Sequence, residues 1–278
     1  MTLGLRDLAF LGGGAPAVPW TPAQLGADLR LWLDADDAST ITLNGSTVSQ
    51  WRDKSGLANH MDQAIAVNQM TYQTGAVNGR AAVVDLGLPG ANAHMQTSAV
   101  VNVNFNGSGM SMFGVGRTDA SANNGLSRFV FVNNRIWLGT WFTNSASAAQ
   151  HGSVSCVFGN GATWTLRGTS LVAWEDTLRI VGATVTSGGS STTYNDGSTG
   201  ATFSMGWANF AGRIGLNHVS GGSQQWRGPM CELVMMVNVL GTSDREKLEG
   251  YLAHKWQGAG ASNNLPAGHP YKAAAPTV

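Results

Sequence analysis

The chain has 278 residues, of which 12% are charged, and its 16 basic and 16 acidic side chains cancel. That balance removes the positive field that draws a protein to nucleic-acid backbones or anionic lipid, and no apolar run approaches the roughly 18 to 20 residues that cross a bilayer. With 37 glycines and abundant Asn, Ser and Thr, the surface is polar but nearly uncharged, and the length suits one large domain.

Residues 1–19 form a short apolar piece, three glycines and an Ala/Pro stretch ending at Pro19. Such a segment builds no core of its own. Leu3, Leu5, Leu8, Phe10 and Leu11 are nonetheless more apolar than a solvated tail requires, so two readings stand: a frayed end, or an assembly arm docked on another chain. Asp7 and Gly12 to Gly14 interrupt what would be the apolar region of an export signal.

From Leu29 the pattern turns to period two, with Leu29, Leu31 and Leu33 alternating with Arg30 and Trp32. Strands are predicted again in MSMFGVGRT (110–118), RFVFVNN (128–134), ATWTLRG (162–168) and LRIVGATVT (178–186), each bounded by Gly, Asn or Ser. Asp196-Gly197 in TTYNDGSTG (192–200) predicts a two-residue hairpin turn. In PMCELVMMVNVL (229–240), Cys231, Leu233, Met235, Val237 and Val239 share one face while Glu232 and Asn238 take the other, the pattern of a core strand packed on at least one side.

Ser243 and Glu246 carry a capping-box signature, and Leu248, Tyr251, Leu252 and Trp256 follow at helical spacing, predicting an amphipathic helix over 243–257. Cys156 and Cys231 allow one disulfide at most, and both read as buried free thiols in strand-like segments. The expectation is an all-β, two-sheet antiparallel jelly-roll sandwich over 20–278 with one short helix near its C-terminal end, preceded by the arm 1–19.

Six stretches carry a family resemblance: LRLWLDADDAST (29–40), VSQWRDKSGLANH (48–60), VNGRAAVVD (77–85), YNDGS (194–198), RIGLN (213–217), and REKLEGYLAHKWQ (245–257) continuing to LPAGHPYKAAAP (265–276). They resemble the concanavalin A-like lectin/glucanase sandwich, in the laminin-G-like form found in bacteriophage virion proteins and bacterial surface proteins. The resemblance spans about 25–276, and its middle, roughly 87–175, matches only as strands and loops. It implies a jelly roll whose usual work is carbohydrate or surface binding and assembly, with catalysis confined to some branches.

Glucanase members set carboxylates alternately on one strand, because retaining hydrolysis needs a nucleophile and an acid about 5–5.5 Å apart. Of the four glutamates here, Glu246 and Glu249 lie in the predicted helix, Glu232 stands alone on its strand, and Glu175 has only its neighbour Asp176, which would point to the opposite face. The chain is therefore expected to have no enzymatic activity.

In WLDADDAST, Asp34 and Asp36 would share a strand face and could serve a Ca²⁺ ion together with loop carbonyls. The other reading is a turn in which Asp36, Asp37 and Ser39 bond nearby amides where the strand leaves the sheet. Trp51, Arg52 and Asp53 in QWRDKSG read as a loop clamp built on an Arg–Asp pair, and the six histidines show no short metal-ligand spacing. Sugars dock their C–H faces on aromatic rings while Asn, Asp and Gln bond the hydroxyls; of the ten tryptophans, Trp141 and Trp207 each interrupt a Gly- or Asn-rich loop, which singles out Trp141 with Asn144 and Trp207 with Asn209.

These readings converge on a non-enzymatic bacteriophage virion protein, a capsid decoration or tail-fibre component that displays a lectin-like domain to a host-surface glycan. Its expected partners are other virion proteins held through the arm, and its expected assembly is a homo-oligomer, most simply a trimer. No nucleic acid, membrane insertion or cofactor is expected, calcium at Asp34 and Asp36 being the alternative. The rival class is a secreted or surface carbohydrate-binding module of a bacterium, with an extracellular location.

Overall fold

The period-two runs become the strands of one antiparallel sheet that curls over on itself into two layers. The computed structural model describes residues 17–87, 92–99, 109–118, 126–132, 136–141, 153–159, 164–173, 176–186, 189–204, 212–217 and 226–278. Within them the strands are β1 (Leu29–Asp34), β2 (Ile41–Asn44), β3 (Thr47–Trp51), β4 (Met61–Asp62), β5 (Thr71–Val77), β6 (Arg80–Asp85), β7 (Met95–Thr97), β8 (Met110–Gly116) and β9 (Leu126–Val132). They continue as β10 (Ile136–Trp141), β11 (Ser153–Gly159), β12 (Trp164–Ala173), β13 (Arg179–Val185), β14 (Ser190–Asn195), β15 (Ser198–Ser204), β16 (Ile214–Leu216) and β17 (Gly228–Met236), followed by the helix α1 (Thr242–Trp256).

One layer runs β15, β14, β13, β8, β17, β1. The other starts at the same β17 and passes through β6 and β5 to β3, which also holds β2 at its side. From β3 it continues through β4, β7, β16, β9, β10 and β11 to β12. At its far end β12 packs over β14 and β15, so the two layers close on each other. This is the expected all-β sandwich.

β17 belongs to both layers, Gly228 to Met230 pairing with β6 and Met230 to Met236 with β8. A strand with neighbours on both faces needs a continuous apolar run rather than an alternating one, and β8 and β17 are buried at every residue. The sequence assigns Glu232 to a polar face, yet it is wholly buried, because α1 covers that face. Cys231 is buried beside it with no disulfide, and burial pushes its thiol far above the ordinary range.

Glycine is required where a phenylalanine ring lies against the backbone, from the facing layer at Gly114 and from the paired strand at Gly182. A Cβ on Gly114 would run into the Phe129 ring, and one on Gly182 into the Phe113 ring. The Asp196-Gly197 turn forms as expected, with φ of 45° and 78°, the left-handed pair of a two-residue hairpin. Asn78-Gly79, with φ of 49° and 81°, makes a second such turn between β5 and β6 that the dipeptide itself signals.

α1 begins at Thr242 after a Gly241 cap, and no side chain caps its first turn. The capping box expected at Ser243 and Glu246 is therefore absent, and Arg245 pairs with the Glu246 carboxylate at 3.4 Å. The other end is capped from outside the helix. Arg80 Nε donates to the Lys255 carbonyl at 2.6 Å and Asn78 Nδ2 to the Trp256 carbonyl at 2.6 Å, serving carbonyls that lack a partner within the helix.

The two ends of the described chain meet. Trp20 N donates to Pro276 O and Val278 N to Val18 O, both at 3.0 Å. Residues 1–16, which include Leu3, Leu5, Leu8, Phe10 and Leu11 of the expected arm, lie outside the described residues.

Candidate functional site

The most specific motifs of the sequence fold around α1. Asp34 ends β1 directly opposite Glu232 on β17, and directly opposed side chains on an antiparallel pair share a face. Lys255 of α1 reaches into the space between them, its Nζ 2.6 Å from Asp34 Oδ1 and 2.8 Å from Glu232 Oε2. Trp32 Nε1 (2.7 Å) and Tyr251 OH (2.9 Å) donate to Glu232 Oε1, and Trp256 Nε1 donates to Oε2 at 2.6 Å.

Glu232 thus receives four donors and is itself wholly buried. Burial pushes its carboxyl above the ordinary glutamate range, and Asp34 adds to the rise while Lys255 opposes it. Tyr251 is pushed up as well, first by burial and then by the Glu232 charge.

The outer shell of this network comes from the other motifs. Lys54 Nζ contacts Asp34 Oδ2 at 2.9 Å and Asp37 Oδ2 at 2.8 Å and lies 4.4 Å over the Trp32 ring. Asp36 pairs with Arg80 and accepts from the Ala81 amide at 3.2 Å. Asp37 Oδ1 accepts from Ser39 N at 3.2 Å and Ser39 Oγ at 2.6 Å, and the Lys54 and Ser39 contacts hold its carboxyl below the usual range.

The acids of WLDADDAST are therefore bonded to lysine, arginine and turn amides. Among the described residues no group of three or more His, Cys, Asp and Glu side chains is placed to hold a metal ion. A calcium ion at Asp34 and Asp36 would have to displace Lys54, Lys255 and Arg80.

QWRDKSG is a clamp, but not through an Arg–Asp pair. Asp53 Oδ1 accepts from Trp32 N (2.9 Å) and Ser55 N (2.8 Å), and Oδ2 from Ser55 Oγ (2.6 Å) and Asn59 N (3.0 Å). Arg52 turns instead to Gln50. A carboxylate gathering short-range amides is a better turn organiser than an exposed ion pair. Asp53→Ala is expected to lower stability by about 1–3 kcal/mol, since it leaves the buried Trp32 amide unpaired. A urea titration read by tryptophan fluorescence checks this.

Two further acids anchor the C-terminal segment. Asp196 of YNDGS accepts from Ile180 N (2.9 Å), Gln257 Nε2 (2.7 Å) and Arg179 (2.8 Å). Glu249, also without exposure, is held by Arg245 at 2.5 Å and lies 3.3 Å from His269.

A cleft of about 240 Å³ opens beside β5 and β6, lined by Thr47, Gln69, Met70, Thr71, Asp85 and Leu86 among others. Val67 stands at its edge 64% exposed. Gln69 is fixed there by Thr47 (2.7 Å) and Asn44 (3.2 Å), and Asp85 by Asn217 (2.8 Å) and Gly87 N (2.8 Å). Burial raises the Asp85 carboxyl above its ordinary value. A mostly apolar hollow with a few fixed polar groups is the usual form of a small-ligand site.

Of the sugar-docking residues, Asn144, Trp207 and Asn209 lie outside the described residues. Trp141 does not interrupt a loop: it closes β10, paired with Ser153 and Leu126, and its side chain is outside the described set. Trp20, Trp32, Trp51, Trp226 and Trp256 are all core.

No family model matches the chain, and no curated protein does. Its fold is similar to domain 4 of AbnA, a GH43 extracellular arabinanase from Geobacillus stearothermophilus solved in complex with arabinotriose. That likeness has a TM-score of 0.51 at 12% identity, over 80% of this chain and 98% of that domain. The binding domain of Paraclostridial Mosquitocidal Protein 1 aligns with a TM-score of 0.52 at 11% identity, over 83% of this chain and 53% of that one. Trypanosoma rangeli sialidase in complex with sialic acid aligns with a TM-score of 0.49 at 14% identity, and the chain spans 35% of its length. At such identities the first two likenesses show a shared β-sandwich.

Proposed function

We propose that this chain is a non-enzymatic, lectin-like display domain that binds a glycan of a bacterial cell surface as part of a phage particle. The observation that carries the non-catalytic reading is the state of the acids. Asp34, Asp36, Asp37, Asp53 and Glu232 are each bonded to a cation, an indole or an amide, and Glu232 has no access to a substrate. The sandwich architecture, shared with a domain solved on arabinotriose, supports the glycan.

Two places are assigned to the sugar: the aromatic positions Trp141 and Trp207 with Asn144 and Asn209, and the cleft beside Leu86. The arm residues Leu3, Leu5, Leu8, Phe10 and Leu11 would fasten the domain to capsid or tail proteins as a homo-oligomer, with the trimer preferred. Calcium is assigned no role unless chelation weakens binding.

The test is a titration of the purified protein against a panel of bacterial surface polysaccharides, with and without a calcium chelator. Saturable binding is expected, weakened at least about tenfold by Trp141→Ala and Trp207→Ala or by Leu86→Arg. A folded protein that binds nothing on the panel overturns the adhesive reading, and release of reducing ends overturns the non-enzymatic one.

A further inference from the structure

The geometry points to a covalent amide between Lys255 Nζ and the Asp34 side chain, formed by the folded chain itself with Glu232 relaying the proton. Three observations carry it. The Lys255 nitrogen is 2.6 Å from Asp34 Oδ1, which places it close to the ~3–3.5 Å approach to carbon of a near-attack arrangement. A carboxylate able to move protons touches the same nitrogen, Glu232 Oε2 at 2.8 Å. Water is kept out: the side chains of Lys255, Asp34 and Glu232 are 14%, 6% and 0% exposed, with the rings of Trp256 and Tyr251 5.1 Å and 5.5 Å from the amine.

Lys54 completes the arrangement. Its ammonium is 2.9 Å from Asp34 Oδ2, the oxygen opposite the one Lys255 contacts, where it would stabilise a developing oxyanion. Lys54 itself is the weaker nucleophile candidate, being more exposed and held by Asp37 as well as Asp34.

The step balances without a co-reactant. A proton passes from the Lys255 ammonium to Asp34 Oδ1, giving a neutral amine and a neutral carboxyl group. The amine lone pair attacks Asp34 Cγ and forms the C–N bond, and charge collects on Oδ2 against Lys54. Glu232 takes a second proton from the nitrogen at Oε2 and hands it to the departing oxygen. The Cγ–Oδ1 bond breaks, one water leaves, and Glu232 returns to its starting state. In bulk water this condensation runs uphill. Here it removes a buried ion pair whose desolvation opposes folding, and the low exposure of the three side chains limits the access of solvent for the reverse step.

The bond would join β1 to α1 across 221 residues of chain. The test is the intact mass of the full chain under denaturing conditions, followed by proteolytic mapping. The expected mass is lighter than the sequence by one water, and the digest contains a branched peptide linking the stretch around Asp34 to that around Lys255. Lys255→Arg and Glu232→Gln are expected to restore the full mass. An unmodified mass for the folded wild-type chain overturns the proposal, whether or not the variants fold. So does a water lost elsewhere, as an imide at Asp196-Gly197 or a bond to Lys54.

Discussion

Replacing Glu232 by alanine is expected to cost about 3–5 kcal/mol of stability, the range for breaking a buried charged pair from one side. The substitution removes the acceptor for Trp32 Nε1, Trp256 Nε1 and Tyr251 OH and leaves Lys255 with Asp34 and the Tyr251 hydroxyl. The two indoles among these donors belong to buried residues, so losing their acceptor leaves them unpaired in the core. Glu232→Gln, which keeps the shape and one acceptor oxygen, is expected to lose clearly less. Chemical denaturation of both variants checks the order, and a change under about 1 kcal/mol for the alanine variant would show that α1 is held by its apolar face and not by this carboxylate.

Gly182→Ala is expected to destabilise by about 1–3 kcal/mol by overpacking alone. The added methyl group lands on the Phe113 ring, and Phe113 cannot yield, because β8 is buried on both faces and its ring already sits against Tyr194 at 5.8 Å. The double variant Gly182→Ala with Phe113→Leu separates this cause from a backbone effect. Recovery of part of the loss in the melting temperature is the expected result, and an additive loss would place the fault in the strand itself.

The strands were legible because their signal is local. Short apolar runs bounded by Gly, Asn or Ser mark β1, β8, β9 and β13 in the expected places, and the β14–β15 hairpin follows from the two adjacent residues of the Asp196-Gly197 turn. Trp141 misleads since Gly139 and Asn144 frame it like a loop, whereas the alternation of IWLGTW continues to the end of β10. The cap of α1 misleads because the helix starts earlier, at Thr242 after Gly241, which puts Ser243 inside the first turn and not at its cap.

The network around α1 was not legible, and the cause is distance along the chain. Trp32 meets Glu232 over 200 residues and Asp34 meets Lys255 over 221. Nothing in the spacing of Lys54 or Lys255 distinguishes them from surface lysines. The available signal was indirect: the most specific stretches, near residues 34, 53, 80, 196 and 255, all prove to touch one helix or its carboxylate partners. That shared destination accounts for why these motifs are specific: each supplies a partner to α1 or to the carboxylates it covers.

The pairing of Val18 and Trp20 with Pro276 and Val278 also determines how the fold would respond to being pulled. Tension on both ends acts across this short ladder, so its bonds open one at a time, as a zipper does, and at low force. The ladder is thus a sacrificial fuse that lengthens the molecule before the sandwich feels a load. Beyond it the pull meets the Val237 N–Asp28 O bond and the β1–β17 ladder, at whose far end lies the tie between Asp34 and Lys255. Were that tie covalent, the pull would run from β1 straight into the end of α1, and the 220 residues between them would hang beside the line of force, unstretched and free to keep their surface in shape.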